Sequence, residues 1–295
     1  MTKPRIGFIG LGLMGSAMVQ RLLDLGYPMA VMANSSRANV DAAVARGAAE
    51  FGSARDVAAA SDIVMLCMGT SDHVESRMLG EHGVLSGVRP GMVVIDFGTS
   101  LPASTRMLAD KMAEAGGHYL DAPLGRTPAH ALEGALNIMA AGDRSGFETV
   151  KPVLEDLGEN VFYLGGSGTG HTIKLINNFF GMTTANAMAE AFAAADLAGV
   201  DRKALYDVMS AGPLHSGMMD FVSAYGLNGQ PDKLAFSITN AAKDVGYYRE
   251  MVTQAGAETI MAHGALTGLR SAIEDGRGDD MVSQMVDFYA RKLKP

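Results

Sequence analysis

A chain of 295 residues exceeds the usual domain of about 100 to 200 residues, so two domains with room for a cleft are expected. With 48% hydrophobic and 19% charged residues it is neither disordered nor fibrous. A net charge of -8 supplies no broad positive field, which excludes nucleic acid and anionic lipid as partners gathered by a charged surface.

One cysteine, Cys67, rules out an internal disulfide, and no Cys/His spacing suits zinc, so no metal is expected. No apolar run reaches the roughly 18 residues of a membrane helix. The N-terminus "MTKPRIGFIGLG" enters strand-like sequence without a signal-type segment, so a cytoplasmic protein with no membrane partner is expected.

In chain order, "RIGFIG", "PMAVMA", "DIVMLCM", "MVVIDFG" and "HYLDAP" read as strands, with helices "SAMVQRLLDLG" and "LPASTRMLADKMAEAGG" among them. "ALNIMAAGD" and "NVFYLGG" continue as strands around the helix "SGFETVKPVLEDLG". The alternation predicts an α/β domain, a doubly wound parallel sheet with helices on both faces. After "GGSGTG" strand-like runs give way to alanine-rich helical sequence, so the expected domains are 1–165, dinucleotide-binding, and 166–295, all-α. The second would open on a helix from about Thr172 to Leu197, ended by Gly199.

The first chemical signal is "GFIGLGLMGSAM", which places Gly10, Gly12 and Gly15 as G-x-G-x-x-G between a strand and a helix. The first glycine makes the turn, the second admits a pyrophosphate, the third packs helix on strand, and the helix N-terminus faces the phosphates. An acid about twenty residues on would bind the adenosine ribose 2′-OH. Here "VMANSSRANV" instead offers Asn34, Ser35, Ser36 and Arg37, neutral donors and a cation that suit a 2′-phosphate, so NADP is expected and NAD remains possible.

The second signal lies in "GHTIKLINNFFGMTTANAMAE", where Lys174, Asn177, Asn178 and Gly181 share one helical face. Ile173, Leu175, Ile176, Phe179 and Phe180 would anchor the helix in apolar surroundings on the other side. A lysine so placed can donate a proton to a carbonyl oxygen if burial and neighbouring cations, Arg126 and Lys243 being candidates, lower its pKa. A solvated polar stripe would give the same spacing.

Together "GFIGLGLMG", "DFGTS", "DAPLGRTPAHALEGAL", "KLINN" and "AAKDVG" resemble the β-hydroxyacid dehydrogenase family, in that order over almost the whole chain. The resemblance implies a Rossmann-like domain followed by an all-α domain, a homodimer or homotetramer, and reversible oxidation of a 3-hydroxy acid with NAD or NADP. It puts the catalytic lysine on Lys174 and its supporting asparagine on Asn178. It puts cofactor contacts on Leu13, Met14, Met68, Thr99 and Lys243.

Most members carry Ser-Gly-Gly after the "DAP" step, whereas this chain has Gly125, Arg126 and Thr127. That form is similar to the 3-sulfolactaldehyde reductases, which implies a small anionic substrate whose sulfonate is held by Arg126 with Thr127 and Asn177, beside Gly181. A guanidinium fork suits a permanently ionised oxyanion. On this reading 3-sulfolactaldehyde is reduced to 2,3-dihydroxypropanesulfonate. The alternatives are a carboxylate substrate, such as tartronate semialdehyde, L-threonate or 3-hydroxyisobutyrate, and a non-catalytic NADP sensor. From charge alone, Arg126 would instead pair with Asp121, Glu133 or another acid.

Overall fold

The computed structural model describes residues 3–34 and 37–294. Nine strands are found among them: β1 (Ile6–Ile9), β2 (Met29–Val31), β3 (Ala49–Glu50), β4 (Ile63–Leu66), β5 (Val93–Asp96), β6 (His118–Asp121), β7 (Leu124–Gly125), β8 (Leu136–Gly142) and β9 (Gly158–Tyr163). The helices between them are α1 (Leu13–Asp24), α2 (Ala38–Ala45), α3 (Ala54–Ala59), α4 (Ser71–Leu79), α5 (Pro102–Glu114), α6 (Pro128–Glu133) and α7 (Arg144–Leu157). Each apolar run read as a strand is one. Strands β3 and β7, two residues each, are too short to leave a periodicity.

The strands pair in the order β3-β2-β1-β4-β5-β6-β8-β7, with β9 on β8. From β3 to β6 every pairing is parallel, the doubly wound arrangement expected. Strand β8 departs from it by running antiparallel to both β6 and β7, before β9 restores a parallel pair. A parallel return needs a long crossover, and the short α6 between β7 and β8 does not provide one.

Side chains of the central strands alternate between two apolar layers. Ile6, Phe8, Met65 and Ile95 enter the core under α1 and α7, while Val64, Leu66 and Val94 enter the one under α3, α4 and α5. Both layers are dry, which is why these strands read as unbroken apolar runs rather than alternating ones.

Helix α8 (Thr169–Leu197) is 29 residues long and begins three residues before the expected Thr172. The compact units divide inside it: Met1–Lys174 and Leu175–Pro295. The expected boundary lies earlier, where the sequence pattern changes, and the first turn of α8 beyond it is bonded to β6.

The second unit continues with α9 (Arg202–Ser210), α10 (Gly217–Asn228), α11 (Ile238–Gln254), α12 (Met261–Glu274) and α13 (Met285–Lys292). Met182, Ala185, Met188, Ala189 and Phe192 of α8 recur at helical spacing and pack on Val222, Ile238, Val245, Leu266 and Met285. One expectation holds only in part in this region. Leu175 is buried and Phe179 packs on the core and stacks on Tyr248, but Ile173, Ile176 and Phe180 are 38%, 48% and 72% exposed, so only part of that face of α8 is the apolar anchor expected of it. The rest of the anchor is the Met182–Phe192 row one turn further on.

Candidate active site

Strand β1 delivers the glycine loop to the point where the strand order reverses, the usual cradle for a dinucleotide in open α/β sheets. Gly10 has φ of 100°, and a Cβ there would lie 2.3 Å from the Cys67 carbonyl oxygen. A Cβ at Gly15 would come 2.0 Å from the Gly10 oxygen, so α1 can sit this close to the loop only with hydrogen at that position. Gly12 is the opposite case. Nothing lies within 4 Å of the Cβ it lacks, and it caps α1 without a side-chain bond. The space and the uncapped N–H groups fit a pyrophosphate. The Asn39 Nδ2 donates to the Leu11 carbonyl at 2.7 Å and pins the loop from α2.

Beyond β2, the side-chain oxygen of Asn34 accepts from Arg77 Nη2 at 2.8 Å. Arg37 is bound at 3.0 Å to Glu50 and at 2.9 Å to Asp41. Those bonds, Glu50 first and Asp41 second, hold its guanidinium above the ordinary arginine range. Ser35 and Ser36 lie outside the described residues. Sequence reasoning missed Glu50 and Arg77, which reach this corner from β3 and α4.

Met68 follows β4, and its sulfur would lie 2.9 Å from a Cβ on Gly10. Thr99 sits in the loop after β5, where Asp96 accepts from the Gly98 amide at 2.8 Å and the Ser100 hydroxyl at 2.9 Å. A Cβ at Gly98 would lie 2.9 Å from Asp96 Oδ1 and 3.0 Å from the Met68 oxygen, so a side chain has little room here.

Gly125 ends β7, and Arg126 follows with φ of 77°, the one left-handed non-glycine residue among those described. A Cβ costs roughly 1 kcal/mol or more in that region. The Ser-Gly-Gly pattern would put glycine there without strain. The Arg126 Nη1 donates to the Ala135 carbonyl at 2.7 Å and to Glu159, so its acid is Glu159 of β9 rather than Asp121 or Glu133. Among the described residues no hydrogen bond engages its Nε or Nη2. Thr127 caps α6, with its hydroxyl 2.7 Å from His130 Nδ1.

Lys174 donates from Nζ to the Leu124 carbonyl at 2.7 Å, which holds the ammonium against the strand leading into Gly125, Arg126 and Thr127. One turn on, in the second unit, Asn178 is buried and donates to Asp244 Oδ2 at 2.6 Å. Its oxygen accepts from Asn177 at 3.2 Å. Asp244, itself buried, pairs with Lys243 Nζ at 3.0 Å, so one carboxylate ties Asn178 to Lys243. Asp244 was adjacent to a named residue but showed no sign of this partner across 66 positions. A Cβ at Gly181 would lie 3.1 Å from the flexible Met218 methyl. No cluster of three metal-ligating residues occurs among the described residues.

This fold and glycine loop define an NAD(P)-dependent oxidoreductase. Residues 5–165 match the family described as the NAD binding domain of 6-phosphogluconate dehydrogenase, and residues 168–289 that described as NAD-binding of NADP-dependent 3-hydroxyisobutyrate dehydrogenase. The chain is 36% identical over 197 residues to 2-hydroxy-3-oxopropionate reductase of Escherichia coli K12, which covers 67% of each chain. It is 31% identical to NAD-dependent L-serine dehydrogenase of Pseudomonas aeruginosa over 92% of its own length and 93% of that protein's. Among solved structures, 3-hydroxyisobutyrate dehydrogenase from Salmonella typhimurium matches with a TM-score of 0.84 at 25% identity, over 96% of this chain and 99% of that one.

The chain belongs to the β-hydroxyacid dehydrogenase family. It is an enzyme of the class that interconverts hydroxyl and carbonyl groups, and the sensor alternative falls away. No helix among the described residues is long and apolar enough to cross a membrane.

The two glycines separate cofactor binding from folding. Gly12→Ala, whose methyl enters open space, is expected to leave the melting temperature unchanged while NADPH binding, read by fluorescence titration, weakens at least tenfold, as the loss of close backbone approach requires. Gly15→Ala should lower the melting temperature. Unimpaired cofactor binding by Gly12→Ala would remove the loop from the pyrophosphate site.

Proposed function

We propose that the enzyme reversibly reduces a small anionic semialdehyde to the corresponding 3-hydroxy acid, with Lys174 as the proton donor. The observation that carries this reading is the 2.7 Å bond from Lys174 Nζ to the Leu124 carbonyl. It keeps an ammonium beside the loop that would grip the anion. Bound nicotinamide supplies the hydride in one direction and accepts it in the other. Lys174 gives its proton to the carbonyl oxygen of the substrate and recovers it in the oxidation. Asn178, with one amide hydrogen on Asp244, has a second to support that oxygen.

Lys174→Ala is expected to lower kcat by about 10²- to 10⁴-fold in a 340 nm assay with small semialdehydes, the range for losing a general acid. NADPH affinity should be unchanged. Wild-type turnover by that variant would eliminate the lysine.

For the anion, the Arg126 guanidinium supports a sulfonate, with 3-sulfolactaldehyde as the aldehyde and 2,3-dihydroxypropanesulfonate as the product. Its Nη1 is taken by Ala135 and Glu159, which leaves the Nε–Nη2 edge to meet two oxygens. The names of the Escherichia coli and Pseudomonas aeruginosa relatives support a carboxylate instead. Arg126→Ala separates the two. The sulfonate reading expects kcat/KM to fall about 10- to 100-fold on 3-sulfolactaldehyde, the worth of one or two charge-assisted bonds, and less on tartronate semialdehyde. Equal losses, or none, would return the assignment to the carboxylate.

For the cofactor, NADP is supported by two guanidinium groups at the end of β2. Arg37 faces two carboxylates, whereas Arg77 is held by the neutral side chain of Asn34 and has no ion pair among the described residues. Arg77 therefore offers the less opposed charge to a 2′-phosphate. Arg77→Ala should cut kcat/KM for NADPH about tenfold, one charge-assisted contact, and leave NADH nearly unaffected. Parallel losses with both cofactors would assign Arg77 to the fold rather than to the phosphate.

A further inference from the structure

Behind the turn that carries Lys174 lies a cluster of fully buried polar groups that the reaction described above does not use. Asp96, at the end of β5, and Asp121, at the end of β6, stand opposite each other in the parallel register, and neither is exposed at all. Two carboxylates removed from water on neighbouring strands repel each other, so each must be supplied with donors.

Asp121 takes the backbone N–H groups of Gly168 at 2.8 Å and His171 at 2.9 Å, the first turn of α8, where a negative charge is also favoured by the helix dipole. Asp96 takes the amide of Gly98 and the hydroxyl of Ser100, the residues on either side of Thr99, with the Tyr119 hydroxyl at 3.4 Å. One carboxylate therefore sets the helix turn that bears Lys174, and the other sets the loop assigned to the cofactor.

His171 connects them. Its backbone is bound by Asp121 and its ring is fully buried, with Nδ1 2.7 Å from the Thr105 hydroxyl oxygen. Thr105 in turn donates to the Leu101 carbonyl at 3.2 Å, at the far end of the same loop. The other ring nitrogen, Nε2, has no hydrogen bond and faces Asp96 Oδ2 at 3.7 Å, too far for one. A buried ring nitrogen left without a partner is rare in native proteins and calls for a physical reason. The helix cannot easily move to supply the contact, since a Cβ at Gly170 would already lie 2.3 Å from the Met139 carbonyl oxygen. The loop is likewise held, by Asp96 on both sides of Thr99 and by the Ser71 hydroxyl oxygen on the Leu101 amide.

We infer that His171 is a positioning residue, which couples the 97–101 loop, through Thr105, to the Lys174 turn. The inference rests on the proposed roles of Lys174 and the Thr99 loop. His171 touches no reacting atom; it fixes the distance between the group that gives the proton and the loop that orients the nicotinamide.

The test is a titration of the full-length enzyme, labelled with 15N-histidine, with NADP. The His171 Nε2 resonance, assigned by its loss in His171→Gln, should shift on saturation. In parallel, His171→Leu, which keeps volume without a polar atom, should weaken NADP binding several-fold and lower kcat about tenfold, the scale of a small misplacement at the reacting centre, with KM for the aldehyde unchanged. His171→Gln, which restores a polar group to face Thr105, should recover most of both. An unmoved Nε2 resonance at saturating NADP overturns the inference, as does a folded His171→Leu enzyme with wild-type NADP affinity and kcat. If His171→Leu does not fold, the titration and His171→Gln decide. Cofactor affinity and the resonance do not depend on proton donation, so a failure of the Lys174 assignment, read from Lys174→Ala, is distinguishable from a failure here.

Discussion

The first turn of α8 is held by a buried carboxylate at the end of the last strand of the parallel run, and much else is arranged around that grip. Asp121 takes two backbone donors from a helix that goes on to carry Lys174, then Asn177 and Asn178, then the Met182–Phe192 row at the core of the second unit. The candidate site residues and the core row of the second unit stand on one helix. Losing those two bonds would loosen the lysine first, because it lies within the first two turns. The cost is steep because Asp121 is wholly removed from water and has no solvent to fall back on.

Charge in this acidic chain is arranged in local pairs. Arg37 is met by Glu50 and Asp41, Arg126 by Glu159, and Lys243 by Asp244. Every cation named for ligand binding in these pairs already has an acid beside it. Side chains held this way lose less freedom when a ligand arrives, but the incoming anion meets a partly neutralised partner. Arg126 keeps the edge of its guanidinium away from Nη1 without a bond among the described residues.

How much of this could be read from the residues follows from the range of the interactions. The glycine loop, the central strands and the long helix after them are local patterns, and they appear where periodicity and spacing put them. The turned strand β8 was not legible, because direction is decided by the length of a connection rather than by the strand's own composition. Glu159, Asp244, Arg77 and Asp121 act across 33 to 66 positions on their partners, and a single sequence carries no sign of such pairs. The apolar residues beside Lys174 misled for another reason. Hydrophobicity marks what can be buried, and an exposed Phe180 shows that it does not mark what is.

The left-handed backbone at Arg126 sets the ease of the turn against the bonds of its side chain. Glycine would relax the turn by about 1 kcal/mol and surrender the guanidinium, while any other branched or bulky side chain would inherit the strain with nothing gained. A glycine there would also forfeit the bonds to the Ala135 carbonyl and to Glu159, so the ease of the turn is set against a cross-link from β7 to β9.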